Sequence, residues 1–213
     1  MAISLKKGQG VSLRKSEHDL SMVTIGLGWD VVEKNSGFLS GIFGKKEPEY
    51  DLDVVAFLCA SDGKIKNFGA RKGNQPSLEG GDVVFYNSMR HPSGHVWLTG
   101  DNRSGAGDGD DEQIIVKLNE LSPNYHKIVF VVQIYQGIAN NQSFGEVSNA
   151  FIRAEDAKGR EVLRFDLSGG AQYQNYRSLL FAELVRDGDD WKFNALGVPA
   201  PEDTFGHWLK QYA

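Results

Sequence analysis

The sequence is poor in cysteine and in long apolar runs, and each shortage excludes a class of protein. A single cysteine, Cys59, cannot form an internal disulfide framework, which argues against a disulfide-rich secreted domain and suits a reducing cytosol. Cys59 lies in the apolar run VVAFLCA, which predicts a buried, unreactive thiol. The first ten residues, MAISLKKGQG, have no apolar core of a signal peptide, and no run reaches the roughly 20 apolar residues of a membrane span. We therefore expect a cytoplasmic protein without a transmembrane segment.

Positive charge is also in short supply. The chain has 23 Lys and Arg residues against 28 Asp and Glu residues, which gives a formal net charge of -5. Such a balance provides no basic face for a phosphate backbone, so we predict no nucleic-acid partner. With 40% hydrophobic residues and 25 glycines among 213 residues, the composition is that of a turn-rich globular protein, and we predict one domain spanning residues 1–213.

Many short strand-like stretches separated by glycine turns predict an all-β fold, a two-layer β-sandwich. Residues 127 to 135 are apolar on both faces, which is typical of a central strand. In the strand predicted at 51 to 60, alternation places Asp51 and Asp53 on one face and Leu52 and Val54 on the other. Short helices are predicted at 142 to 147 and, near the C-terminus, at 201 to 212. Residues 3 to 15 suggest a hairpin, and residues 187 to 190 a hairpin turn.

The stretch from Thr99 to Glu112, TGDNRSGAGDGDDE, carries five carboxylates and one base, Arg103. Like charges a few ångströms apart repel one another by energies on the kcal/mol scale, and a hard divalent cation removes that repulsion. Calcium takes roughly six to eight oxygen ligands, and glycines let backbone carbonyls turn towards an ion. An EF-hand is rejected, because Arg103, Gly105 and Ala106 occupy positions where that loop needs two oxygen ligands and a glycine. A solvated acidic loop is the alternative.

Other parts of the chain offer further oxygen ligands. Asp51 and Asp53 point the same way at the start of one predicted strand, and Asn87 ends another. If these segments converge, the carboxylates suffice for two adjacent calcium ions, with amides and backbone carbonyls completing the shells. The predicted ligands are Asp51, Asp53, Asn87, Asp101, Asn102, Gly105, Gly107, Asp108, Asp110, Asp111 and Glu112.

Several segments together resemble the TerD family of bacterial tellurium-resistance and stress proteins. They are GLGWD at 26 to 30, DLD at 51 to 53, FYN at 85 to 87, TGDN and GDGDDE within 99 to 112, QSFGEVSNAFIR at 142 to 153, RFDL at 164 to 167 and ELVRDGDDWKFNALG at 183 to 197. The resemblance implies a cytoplasmic, calcium-binding β-sandwich without established enzymatic activity, whose partners are other tellurite-resistance proteins. It adds Asp30 to the predicted ligands. Ser88 replaces an asparagine that is frequent in the family, and the long segment 34 to 49 is more similar to the TerZ branch.

Two further interpretations concern partners and catalysis. Phe38, Leu39, Ile42 and Phe43 form an apolar group within 34 to 49 that suits a contact with another protein, so we predict a calcium-dependent scaffold or interaction module. A surface insertion whose aromatic side chains pack onto the protein's own core is the other interpretation of this segment. The alternative is a metal-dependent hydrolase that uses the acidic cluster. Because no Gly-x-Ser-x-Gly elbow or Cys/His pairing accompanies the acids, we expect no enzyme. A zinc site at His91 and His95 is disfavoured, because no further nitrogen or sulfur ligand is near in sequence.

Overall fold

A computed structural model describes residues 2–31, 50–73, 75–99, 109–166 and 173–213. Its strands, in chain order, are β1 Ile3–Leu5, β2 Gly10–Leu13, β3 Val23–Val31, β4 Leu52–Cys59, β5 Arg71–Lys72, β6 Gln75–Pro76, β7 Val83–Val84, β8 Val96–Leu98, β9 Glu112–Val116, β10 Lys127–Ile134, β11 Val147–Glu155, β12 Glu161–Asp166, β13 Ser178–Asp187 and β14 Asp190–Ala200. A 3-10 turn covers Phe144–Glu146, and helix α1 covers Gly206–Tyr212. In the part of the chain described, no helix is long and apolar enough to cross a bilayer.

Twelve of these strands form two six-stranded sheets. The first sheet has the order β1-β12-β11-β3-β9-β8, and the second has the order β2-β14-β13-β10-β4-β7. One hydrophobic cluster contains side chains of both sheets, such as Ile25 and Ile114 of the first and Leu58 and Phe130 of the second. The predicted β-sandwich is therefore confirmed, and its main core lies between the sheets.

Alternation along β4 divides its side chains between two cores. Leu52 and Val54 belong to the cluster between the sheets, whereas Val55 and Phe57 belong to a second cluster on the outer face of the second sheet. Helix α1 covers that outer face through Trp208, whose indole N–H donates to Ser178 Oγ at 3.0 Å. The C-terminal helix predicted at 201 to 212 is thus present over a shorter range, and it gives the second sheet two buried faces.

Two local predictions are confirmed, and one is wrong. Strand β10 lies between β13 and β4, as a strand apolar on both faces should, and Asp187 pairs with Asp190 across a hairpin turn. The hairpin predicted within 3 to 15 does not form, because β1 pairs in parallel with β12 in the first sheet and β2 pairs with β14 in the second. An isolated pair of short strands is marginally stable, whereas each strand gains a large buried neighbour by extending an existing sheet.

Candidate functional site

One end of the sandwich collects the described acidic residues that the sequence singles out. There β3 ends while β9 and β11 begin, with Leu27 paired to Glu112 and Asp30 paired to Ser148. Antiparallel pairing therefore brings the last residues of β3 beside the residues that precede β9. Asp30 and the segment 109–111, which are distant in sequence, become neighbours at this end.

Asp111 is attached to the end of β3 by its backbone and by its carboxylate. Its backbone N–H donates to the Leu27 carbonyl at 2.8 Å, and its Oδ2 accepts the Trp29 N–H at 3.0 Å. Burial raises the pKa of Asp111, and the negative charges of Asp30 and Asp110 raise it further, against the lowering effect of the Trp29 N–H. Asp111 is therefore held in a partly buried, negatively charged environment that a cation would relieve.

Asp30 is exposed beside Asp111. Its Oδ2 accepts a hydrogen bond from Asn149 Nδ2 at 2.6 Å. Asn149, near the start of β11, has a φ of 50°, in the left-handed region that asparagine tolerates better than most residues. Asp30, Asp111 and Asn149 thus bring side chains from three strand ends together.

Asp110 has a different environment from its two acidic neighbours. Its side chain is only 1% exposed; Oδ1 accepts from Arg153 Nε at 2.7 Å, and Oδ2 accepts from Gln113 Nε2 at 3.1 Å. Arg153 and Gln113 are the two strand partners of Gly26, and a Cβ on Gly26 would overlap the Asp110 carboxylate. The acidic stretch therefore has a cationic partner from a distant strand, because β11 supplies Arg153.

Glu112 and Asp53 come from neighbouring stretches of backbone but point in opposite directions. Glu112 is 2% exposed and its Oε2 accepts the Val54 N–H at 2.6 Å, on the side between the sheets. Asp53 Oδ2 accepts from Gln133 Nε2 at 2.8 Å, and the side-chain oxygen of Gln133, Oε1, accepts the Phe205 N–H on the outer side. Asp53 and Val54 thus face opposite sides of β4, and a shared calcium site for Asp53 and Glu112 stays a prediction.

Asp51 and Asn87 flank that same region of the second sheet. The Asp51 carbonyl accepts the Tyr135 N–H at 2.8 Å, and Asn87 is exposed in a tight turn closed by Phe85 and Ser88. The other predicted ligands, Asp101, Asn102, Gly105, Gly107 and Asp108, lie outside the described residues, as do positions 32–49 with the predicted contact segment. Among the residues that are described, no three His, Cys, Asp or Glu side chains are grouped to hold a metal ion.

Sequence reasoning missed Arg153 and the two glycines of β3. Gly26 makes room for the Asp110 carboxylate, and a Cβ on Gly28 would overlap the Phe151 ring and lie 2.6 Å from the Gly109 carbonyl oxygen. Two glycines at a spacing of two within a strand were the available signal, because such glycines often mark a close approach of other groups.

A buried polar cluster around Asp82 was also missed. Its Oδ1 lies 3.2 Å from His91 Nε2 and accepts the Tyr125 hydroxyl at 2.9 Å, while Oδ2 accepts the Asn67 N–H at 2.8 Å. Asp82 and His91 are 2% and 3% exposed. The His91 imidazole is thus paired with a buried carboxylate. Through Tyr125, the cluster also connects the loops before β7 and β8 to the loop before β10.

Comparison with known proteins gives a consistent result. A family model described as the TerD domain matches residues 1–212. The chain is 60% identical over 212 residues to the tellurium resistance protein TerX of Serratia marcescens, with 100% of each chain covered. It is 39% identical over 213 residues to the stress response protein SCP2 of Bacillus subtilis, again with 100% of each covered.

A solved structure and a more distant relative complete the comparison. A crystal structure of a TerD homologue from Streptomyces coelicolor has a TM-score of 0.62 at 22% identity, covering 91% of this chain and 98% of that one. At this level of identity, the similarity shows a shared fold. The TerZ protein of S. marcescens is 36% identical, covering 92% of this chain and 89% of its own. The expected TerZ-like assignment is therefore corrected to a greater similarity to TerX, because identity across the whole chain outweighs the length of one segment.

Proposed function

This chain belongs to the TerD family, and we propose that it is a calcium-binding stress-response protein associated with tellurite resistance. Support for the physiological role comes from relatives named for tellurium resistance and for stress response that match it over their full length. The proposal includes no catalytic step. It places the protein in the cytoplasm, where the single buried cysteine is compatible with reducing conditions.

The observation that carries the calcium proposal is the neighbourhood of Asp30 and Asp111. Burial raises the pKa of Asp111, and the adjacent carboxylates of Asp30 and Asp110 add to the effect, so a divalent cation placed there would remove like-charge repulsion. The chemistry of these donors fits calcium, which prefers carboxylate and amide oxygens. Asp30 and Asp111 would supply ligands to it, and the predicted ligands Asp101, Asn102 and Asp108, which precede this segment, would complete the shell.

Titration of calcium into chelator-treated protein tests this proposal. We expect saturable heat with a stoichiometry of two ions per chain, and a higher melting temperature with calcium than with EDTA, because a ligand that binds only the folded state stabilises it. The variant Asp111→Asn should weaken binding. The control Asp189→Asn, in the exposed turn between β13 and β14, should not. Magnesium serves as the second control, and a wild-type protein that ignores calcium in both assays would refute the proposal.

The same proposal extends to the partners of the protein. We propose that calcium binding makes it a scaffold for other tellurite-resistance proteins, with the apolar residues Phe38, Leu39, Ile42 and Phe43 as the contact. The support is the sequence of that segment, in which four large apolar residues lie within six positions. Tagged protein should retain partners in calcium and release them in EDTA. Deletion of residues 38 to 43 should abolish retention without changing the calcium titration; full retention by the deletion variant would remove the segment from the proposal.

A further inference from the structure

We propose that Asp110 is not a calcium ligand but the anchor of the segment 109–111, and that Arg153 is the positioning residue which sets calcium affinity through it. This inference rests on the proposed calcium binding and divides the acidic residues into two roles. Asp30 and Asp111 would face the ion. Asp110 would fix the backbone that carries Asp111.

Both carboxylate oxygens of Asp110 already accept hydrogen bonds from protein side chains. One carboxylate oxygen accepts from Arg153 Nε at 2.7 Å and the other from Gln113 Nε2 at 3.1 Å, with the side chain 1% exposed. A guanidinium at this distance already supplies the positive charge that a buried carboxylate needs. A cation bound to Asp110 would have to compete with Arg153 and would meet its charge at close range.

Strand β3 has a glycine at the position where the Asp110 carboxylate lies. Gly26 leaves a gap on the outer face of the first sheet, because any Cβ there would overlap Asp110. Arg153 and Gln113 project from the two residues paired with Gly26, one on each side. Three neighbouring strands therefore contribute one group each to a notch for Asp110, which is a built arrangement and not an incidental surface ion pair.

The anchor, Asp110, is adjacent in sequence to the proposed ligand, Asp111. Asp111 follows Asp110 directly, donates its N–H to Leu27 and accepts the Trp29 N–H. Releasing Asp110 from the notch would free this short segment to move and would allow the Asp111 carboxylate to leave Trp29. Residues that orient a metal ligand without touching the metal typically change metal affinity by about 10- to 100-fold when mutated.

A double-mutant cycle on calcium affinity tests the assignment. Asp110→Asn, Arg153→Met and the double variant are titrated with calcium beside the wild type. The matched controls are Asp156→Asn and Arg160→Met, because Arg160 Nη2 also pairs with a fully buried aspartate side chain at 2.8 Å, at the turn between β11 and β12. Each control should keep its affinity within about twofold of the wild type, as expected for a distant site.

The anchor predicts non-additive losses with unchanged stoichiometry. Arg153→Met should weaken calcium binding about tenfold or more, and adding Asp110→Asn should cost little beyond that. Gly26→Ala should act in the same direction by displacing the carboxylate. If Asp110 were a ligand, Arg153→Met would remove a competing positive charge and calcium binding would be unchanged or tighter, while Asp110→Asn would reduce the number of bound ions. Unchanged or tighter binding by Arg153→Met, additive losses or a lost ion would overturn the inference.

Amide hydrogen exchange separates this inference from the proposed function. In calcium-free protein, the Asp111 and Trp29 amides should exchange about tenfold faster in Asp110→Asn and Arg153→Met than in the wild type, because both amides are held through the anchored segment. If the wild type binds no calcium but both variants show this loss of protection, the proposed function fails and the anchor stands. If protection is unchanged in both variants, the anchor is refuted whatever the calcium titration gives.

Discussion

The carboxylate of Glu112 accepts the backbone N–H of Val54 at 2.6 Å and so joins β9 of the first sheet to β4 of the second. Glu112 is 2% exposed, and its neighbour two positions along, Ile114, is part of the core between the sheets. A charged side chain is costly to bury unless its oxygens are hydrogen-bonded. The cross-sheet bond is therefore a structural contact at the acidic end of the sandwich, separate from the exposed Asp30.

Glu112→Ala should lower the free energy of unfolding by about 2–4 kcal/mol, because the buried Val54 N–H loses its acceptor and a cavity remains. Urea denaturation followed by tryptophan fluorescence measures the change. Glu120→Ala, on the exposed connection after β9, should change it by less than about 0.5 kcal/mol. Equal losses in the two variants would show that the Glu112 contact contributes nothing specific.

The buried cluster around Asp82 should make folding stability depend on acid pH. Burial alone would raise the pKa of Asp82, but hydrogen bonds from His91, Asn67, Tyr125 and Lys66 outweigh it and lower the pKa. The ionised carboxylate therefore adds stability above its unfolded pKa of about 3.9, and this contribution is lost as the pH falls through the lower folded pKa.

Asp82→Asn should be less stable than the wild type at neutral pH, and the difference should shrink as the pH drops below about 4. Urea denaturation at a series of pH values gives the comparison. Asp189→Asn, an exposed substitution of the same chemistry, provides the baseline for the change in net charge. A difference between Asp82→Asn and the wild type that stays constant across the acid range would contradict the linkage.

Cys59 should not react with thiol reagents in the folded protein. Its side chain is fully buried, and burial raises the pKa of the thiol to about 12, so the thiolate that reacts is scarce. Labelling with a chromogenic disulfide should proceed at the rate of unfolding in native buffer and within the mixing time in denaturant. Rapid labelling of native protein would show that the core on the outer face of β4 opens readily.

Gly28→Ala should destabilise the fold by about 1–3 kcal/mol, because the added methyl overlaps the Phe151 ring and approaches the Gly109 carbonyl. Gly206→Ala is the matched control, since the position begins α1 and its nearest neighbour, Thr204 Oγ1, lies at 3.3 Å. That control should be neutral or slightly stabilising, as alanine favours helix more than glycine does. Thermal melting of both variants distinguishes the two effects.

The sequence predicted the two-sheet fold better than it predicted the contacts that the acidic side chains make. Alternation along 51 to 60 correctly separated Asp53 from Leu52 and Val54, because period-two burial is a local property of a strand. It could not show that Arg153 reaches Asp110, since that contact depends on strand order. For the same reason, it could not show that Glu112 accepts the Val54 N–H of the other sheet.

The first 13 residues contribute one strand to each sheet, and this has a consequence for synthesis on the ribosome. Strand β1 meets its partner only when residues 161–166 exist, and β2 only when residues 190–194 exist. Strands β1 and β2 must therefore remain unpaired while the roughly 150 residues that separate them from their partners are synthesised. During this time β1 and β2 would be available to chaperones that bind unpaired segments of nascent chains.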